Sequence, residues 1–489
     1  MPANGRLSTG ISGLDDILRG GLARGYLYLV EGSPGAGKTT LALQFLIEGA
    51  RRGESGLYVS LAESEAELSH VAESHNFSLE NITICKISPP ELAVGSSQPY
   101  TVFQPAEVEL ADVVETILAK VGEVKPSRVV IDSMSELRML ARDSVRYRRQ
   151  VLSLKQFFEG RDCTTLLLDE RFRGNQESQV QTIAHGVISL EVLPREYGIT
   201  RRRLEILKVR ASNFREGFHD YVIFTGGMRV FPRLVSGEHR RPDAPDGDLP
   251  SGIAELDAMF KGGVERGTST LLVGPAGSGK STLCTQWVYS AAKRGDKAAM
   301  FTFDETRHSL LERARALGMG LEPFLGKEVH LEQVDPAELS PGEFIDRIRR
   351  GVEEQGWSVV VIDSLNGLMN SMSEERALTV QLHELLAYLN QLGVASFMVL
   401  AQYGVMGDAM KSPADVSYLA DNVLLLRYFE AAGEVRQALS VVKRRSGPHE
   451  RSIREMHIRD GRVQIGAPLT NFAGVLTGTP QYTGAQPLL

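Results

Sequence analysis

The chain has 489 residues, 42% hydrophobic and 24% charged, with 54 basic and 61 acidic side chains giving a formal net charge of −7. Such proportions supply a core for each of two or three domains and exclude a disordered, collagen-like or disulfide-rich chain. The acidic balance argues against general polyanion binding. The longest apolar runs fall far short of the roughly 20 residues that cross a bilayer, and the start has no signal-peptide pattern, so a cytoplasmic protein is expected.

In chain order, the first feature is a repeat. LSTGISGLDDILRGGLARG at residues 7–25 returns as LPSGIAELDAMFKGGVERG at 249–267. Gly32 matches Gly274, Lys38 matches Lys280 and Glu63 matches Glu305, each at an offset of 242. The later pairs Asp132 with Asp363 and Lys208 with Lys443 are offset by 231 and 235, so loops between them differ in length. Between the copies, SGEHRRPDAPDGD at 236–248 loses all apolar periodicity. The expected division is 1–242 and 243–489.

In each half an apolar run (26–30; 269–273) leads into a glycine-rich loop and then a helical pattern (39–50; 281–293). Further β-rich runs at 57–61, 128–132, 164–168, 186–193 and 204–209 alternate with helical stretches. That alternation predicts an α/β fold, a mostly parallel sheet flanked by helices.

The loops carry the chemistry. GSPGAGKT places Gly32, Ser33, Pro34, Gly35, Ala36, Gly37, Lys38 and Thr39 in a P-loop pattern, followed by Thr40. GPAGSGKS does the same with Gly274, Pro275, Ala276, Gly277, Ser278, Gly279, Lys280 and Ser281, followed by Thr282. Glycines let backbone N–H groups wrap phosphate oxygens, and the helix N-terminus adds partial positive charge. Lys38 and Lys280 suit the β/γ-phosphates of ATP, while the hydroxyls of Thr39 and Ser281 suit Mg²⁺. The carboxylates expected to complete the metal sites are Asp132 in RVVIDS and Asp363 in VVVIDS, each ending an apolar strand. Glu63 in LAES and Glu305 in FDET are candidates to orient water or take a proton. The second half adds Asp304 where the first has Ala62, which implies a catalytic difference between halves. Three cysteines, Cys85, Cys163 and Cys284, lack C-x-x-C spacing and read as small core residues.

From residue 7 to 480 the sequence resembles the KaiC family of circadian-clock ATPases, double-domain relatives of RecA. The resemblance implies two tandem RecA-like P-loop NTPase domains in a homohexamer, with ATP at subunit interfaces. It implies that K-x-R motifs, here Lys208 with Arg210 and Lys443 with Arg445, reach the γ-phosphate held by a neighbouring subunit. His449 matches a family histidine beside the nucleotide, whereas the first-half counterpart is Phe214. The family's autophosphorylated serine matches Ser417, which makes the second half an expected autokinase with Asp304 and Glu305 as bases. Tyr418 stands where the family has threonine and is the weaker acceptor candidate. NFAGVLTGTP at 471–480 resembles a pore-lining loop, with only nine residues after it. A KaiB-like or other signalling partner fits this picture; a membrane does not.

Two other readings compete. One is a RecA- or RadA-like DNA-dependent ATPase, because Arg138, Arg142, Arg146, Arg148 and Arg149 follow the carboxylate strand, and the first three would share one face of a continuous helix. No nucleic-acid module accompanies them, so DNA is not an expected partner. The other is a nucleotide-dependent signalling scaffold with weak hydrolysis.

Overall fold

The computed structural model describes residues 5–87, 105–171, 179–195, 197–239, 245–370, 375–402, 417–431, 433–459, 461–476 and 480–484. The chain divides into two compact units, Met1–Arg233 and Leu234–Leu489. Residues 234–239, expected in the first half, therefore belong with the second. Leu234 joins the second unit's core, the Ser236 N–H donates to Glu384 Oε2 at 3.0 Å, and the His239 ring meets Tyr388 edge-on at 5.1 Å. Short polar residues hid this docking in the sequence.

Among the described residues the main sheet of the first unit has nine strands, β1 (Leu27–Gly32), β2 (Gly56–Ser60), β3 (Ile82–Lys86), β4 (Arg128–Asp132), β5 (Thr164–Glu170), β6 (Gly186–Leu193), β7 (Arg201–Val209), β8 (Phe218–Phe224) and β9 (Gly227–Phe231). Their order across the sheet is β3-β2-β4-β5-β1-β6-β7-β8-β9. The run from β3 to β6 is parallel, and β7 to β9 continue it antiparallel. The second unit repeats this order with β10 (Ser269–Gly274), β11 (Ala298–Thr302), β12 (Val329–Gln333), β13 (Val359–Asp363), β14 (Ala395–Ala401), β15 (Asn422–Ala431), β16 (Glu434–Arg444), β17 (Arg454–Arg459) and β18 (Arg462–Pro468). Two mostly parallel sheets flanked by helices are the expected tandem RecA-like architecture.

Strand periodicity explains the layers. Successive side chains of a strand point to opposite faces, so a strand covered on both sides is apolar throughout. In β1, Tyr28 and Val30 enter one core while Leu27 and Leu29 enter the other. In β10, Leu272 and its neighbours Leu271 and Val273 divide in the same way. Ahead of each central strand the repeated turn is pinned by one carboxylate: Asp15 accepts from the Thr9 N–H at 2.8 Å, and Asp257 from the Ser251 N–H at 2.6 Å. Cys163 and Cys284 are buried, and Cys85 is half-buried; all three are free thiols.

One expectation fails on local geometry. Arg138, Arg142 and Arg146 do not lie along one helix. The helix Met134–Ala141 ends at Arg142, whose φ is +51°, and Asp143 caps a second helix, Ser144–Phe158, through its side chain. Arg138 pairs with the buried Asp169, and Arg148 donates to Thr182 Oγ1 at 3.2 Å. The cluster is thus divided between two helices, with at least two of its arginines engaged within the fold.

Candidate functional site

Each glycine-rich loop follows a fully buried strand, β1 or β10, and opens a long helix, Lys38–Arg51 or Lys280–Lys293. The last residue before the helix is a glycine in the left-handed region, Gly37 at φ +89° and Gly279 at φ +96°. A Cβ there would also stand 2.5 Å from Ile223 Cδ1 or 2.4 Å from Met456 Cε, side-chain ends that can shift, so the left-handed φ is what favours glycine. The later strands hold the loops in shape: Tyr221 Oη donates to the Ala36 carbonyl at 2.7 Å, and Tyr428 Oη to that of Ala276 at 3.3 Å.

Lys38 Nζ donates to the Gly32 and Ser33 carbonyls at 2.9 and 3.3 Å, and Lys280 Nζ to the Pro275 carbonyl at 2.6 Å. Both ammonium groups therefore lie within the curl of their own loop. Burial holds Lys38 below the usual lysine range, and pushes Lys280 down to about 8 against the opposing pull of Asp363. An anion placed beside either lysine would favour its charged form.

The carboxylates end the neighbouring strands β4 and β13. Burial pushes Asp132 and Asp363 up from the ordinary aspartate range; Tyr58, Lys38 and lastly the Thr39 hydroxyl pull Asp132 back, and the Ser281 hydroxyl and Arg313 pull Asp363 back. Each half thus joins an Asp carboxylate to the hydroxyl that follows the P-loop lysine. The oxygen-only set suits Mg²⁺, which is held by few protein ligands together with phosphate oxygens. A residue that sequence reasoning passed over also shapes the first set. Tyr58 Oη donates to Asp132 Oδ2 at 2.6 Å, where the second half has Met300. Its only signal was a phenol between Leu57 and Val59 in the buried β2.

The next carboxylates differ between halves. Burial, then Asp132 and Glu67, raise Glu63, whose Oε2 is buried without a hydrogen-bond partner. Glu305 pairs with Arg313 at 2.8 Å, and Asp304 accepts from Ser364 Oγ at 2.6 Å.

The K-x-R residues sit elsewhere. Val209 pairs with Gly186, which pairs with Tyr28, four residues before Gly32. Arg444 pairs with Asn422, which pairs with Thr270, four residues before Gly274. Lys208, Arg210, Lys443 and Arg445 therefore lie at the end of each sheet opposite its own P-loop, about 13 Å away at a strand rise per residue. Ser417 lies at that same end: Lys443 Nζ donates to the Ser417 and Ala420 carbonyls at 3.0 and 2.7 Å, and Arg445 Nη2 to that of Tyr418 at 3.2 Å. Burial, then Arg451 and Arg444, lower His449. Phe214 instead packs against the first unit's core. Within 471–480, residues 477–479 lie outside the described residues.

Among the described residues, no helix is long and apolar enough to cross a membrane. A family model described as "ATPase: KaiC" matches residues 7–235 and 249–470. Among similar proteins, Circadian clock protein KaiC3 of Synechocystis sp. is 27% identical over 487 residues, covering 98% of this chain and 95% of that protein. Circadian clock oscillator protein KaiC of Prochlorococcus marinus is 28% identical over 488 residues, covering 97% and 95%.

Proposed function

The chain belongs to the KaiC family of ATPases, and on that premise we propose a six-membered ring that binds and hydrolyses ATP in both halves and phosphorylates itself on Ser417. The observation that carries this reading is the separation of parts within each unit. The phosphate loop and its carboxylates stand at one end of the sheet, while the two K-x-R cations stand at the other. A cation so placed stands away from its own unit's nucleotide, which supports its supply by a second copy; units that meet head to tail form a ring where their rotation closes and a filament where it does not, and we propose the ring.

Lys38 and Lys280 bind the phosphates, together with the N–H groups of Ser33 and residues 35–37 in the first half and of residues 276–279 in the second. Mg²⁺, held through Thr39 with Asp132 and Ser281 with Asp363, would neutralise charge on the β- and γ-phosphate oxygens. Arg210 and Arg445 from the adjoining copy offset the charge that develops as the γ-phosphoryl group moves. In hydrolysis the water oxygen bonds to the γ-phosphorus, the bond to the bridging oxygen breaks, ADP leaves, and the proton passes to Glu63 or its second-half counterpart. In the autokinase step the Ser417 hydroxyl replaces water, with Asp304 and Glu305 as candidate bases and Tyr418 as the weaker acceptor. Ser417 is exposed and lies at the cation end of its unit, which supports transfer from a neighbour's ATP.

Intact-mass measurement after incubation with Mg·ATP tests the kinase reading, with Ser417→Ala and Lys280→Ala as controls. A gain of one phosphate in the wild type alone is expected; a mass that never rises removes the autokinase. Sedimentation with and without ATP tests the ring, and a monomer in both conditions overturns it.

A further inference from the structure

The two halves keep the offset of 242 through the helix that follows the second parallel strand, so Glu63 answers to Glu305 and Val71 to Arg313. This last pair exchanges a cation for an aliphatic group. Thr306 caps the helix Arg307–Ala316 by accepting from the Ser309 N–H. Ser309 and Arg313 are four residues apart and share the face that looks back over the helix start.

The Arg313 guanidinium lies along Glu305. Its Nε donates to Oε1 at 3.1 Å and its Nη2 to Oε2 at 2.8 Å. Ser309 Oγ adds a bond to Oε1 at 3.3 Å. The remaining Nη1 donates to Thr282 Oγ1 at 3.2 Å, fixing the fork to the residue after Ser281. A planar guanidinium that engages both carboxylate oxygens is among the strongest and most directional ion pairs available to a protein. In the first half, Val71 packs on the core and the inner oxygen of Glu63 keeps no partner.

A carboxylate that takes a proton from water needs a free oxygen aimed at that water. One oxygen of Glu63 is buried and unbonded, whereas both oxygens of Glu305 accept hydrogen bonds from Arg313. We infer that Arg313 is a positioning residue that withholds Glu305 from water and thereby makes the second half a poor hydrolase, favouring transfer to a serine hydroxyl. This rests on the proposed function, since it assigns the two halves different acceptors for the same γ-phosphoryl group. The step suppressed is attack of water oxygen on the γ-phosphorus, with ADP leaving and the water proton passing to Glu305.

The test uses the intact chain. In a Lys38→Ala background, where turnover comes from the second half, Arg313→Val is expected to raise kcat for phosphate release about tenfold, the scale of one charge-assisted hydrogen bond, with KM for ATP unchanged. Arg313→Lys keeps the charge but not the fork and falls between. In a Lys280→Ala background, Val71→Arg is expected to lower first-half kcat by a similar factor, again without moving KM. Unchanged or lower release by Arg313→Val, or a change carried by KM, overturns the inference while the proposed function stands. Absence of phosphate release from the wild type and both backgrounds removes the proposed function and this inference with it.

Discussion

Asp421 Oδ1 accepts a hydrogen bond from Arg445 Nη1 at 2.8 Å, and in the first half the corresponding neighbours are His185 and Arg210. The correspondence is fixed by the main chain: the Arg445 N–H donates to the Asp421 carbonyl, and the Arg210 N–H to that of His185, both at 3.0 Å. Asp421 neutralises its arginine within the chain. His185 carries no negative charge to do the same, and burial, then Arg210 and Lys155, hold it below the usual histidine range. Arg210 instead donates to the Thr182 carbonyl at 2.7 Å. On the proposed arrangement a phosphate brought by a second copy would displace a carboxylate to engage Arg445, whereas among the described residues Arg210 is bonded to a carbonyl and to no carboxylate.

Arg210→Ala is accordingly expected to slow first-half turnover on the order of 10³-fold, the lower range for an arginine supplied in trans. Arg445→Ala is expected to cost roughly tenfold less, because pairing with Asp421 already offsets part of that cation's field. Phosphate release in Lys280→Ala and Lys38→Ala backgrounds separates the halves, and nucleotide binding measured alongside should stay near wild type. A loss carried by affinity alone would argue against a role in trans.

The Tyr58 hydroxyl on Asp132 gives a second prediction. Burial works against the ionised form of Asp132, and the phenol supports it by donating a hydrogen bond. Tyr58→Phe removes that donor with little change of shape. The Mg²⁺ concentration giving half-maximal first-half hydrolysis should rise about tenfold, the usual scale for losing a group that orients a metal ligand. The second half, with Met300 at this position, is the internal control; an equal shift in both halves would contradict the assignment.

Lys443 yields a third. Its ammonium bridges the Ser417 and Ala420 carbonyls and so restrains the segment that carries the proposed acceptor. Lys443→Met should speed hydrogen exchange at amides 418–421 about tenfold, the size of one such bond to a charged group, while β14 and β16 keep their protection. Unchanged exchange in that segment would show that the bridge does not restrain it in solution.

Local patterns made much of this legible. The strand, glycine loop and helix announced themselves because Gly37 and Gly279 meet a left-handed backbone turn, and duplication at one offset removed chance as an explanation. The aspartates ending β4 and β13 followed from apolar runs closing on a carboxylate. What escaped was set by tertiary approach. Arg313 meets Glu305 across two helical turns, and Tyr58 meets Asp132 across adjacent strands far apart in the chain. The arginine stripe misled for a different reason: a four-residue spacing was extended through Arg142–Asp143–Ser144, although an aspartate ahead of a serine is itself a helix-start signal.

The last prediction concerns a histidine with no place in the chemistry. His219, in β8, is 1% exposed. Its Nδ1 accepts from the Arg233 N–H at 2.8 Å, so the ring proton sits on Nε2, which donates to the Arg215 carbonyl at 3.0 Å. Both ring nitrogens are satisfied in the neutral form, and burial pushes the group down to about 4. Because the folded value lies below the unfolded one of about 6.5, its contribution is fully present above pH 6.5 and is lost as pH falls towards 4. At pH 5 the loss reaches about 2 kcal/mol, at 1.36 kcal/mol per unit. In the intact chain, hydrogen exchange of β8 and β9 should lose protection on acidification from pH 7 to 5 beyond the exchange chemistry of free amides. His219→Gln should start less protected at pH 7 and lose less on the same change. An equal acid-induced loss in both proteins would show that His219 does not set this pH dependence.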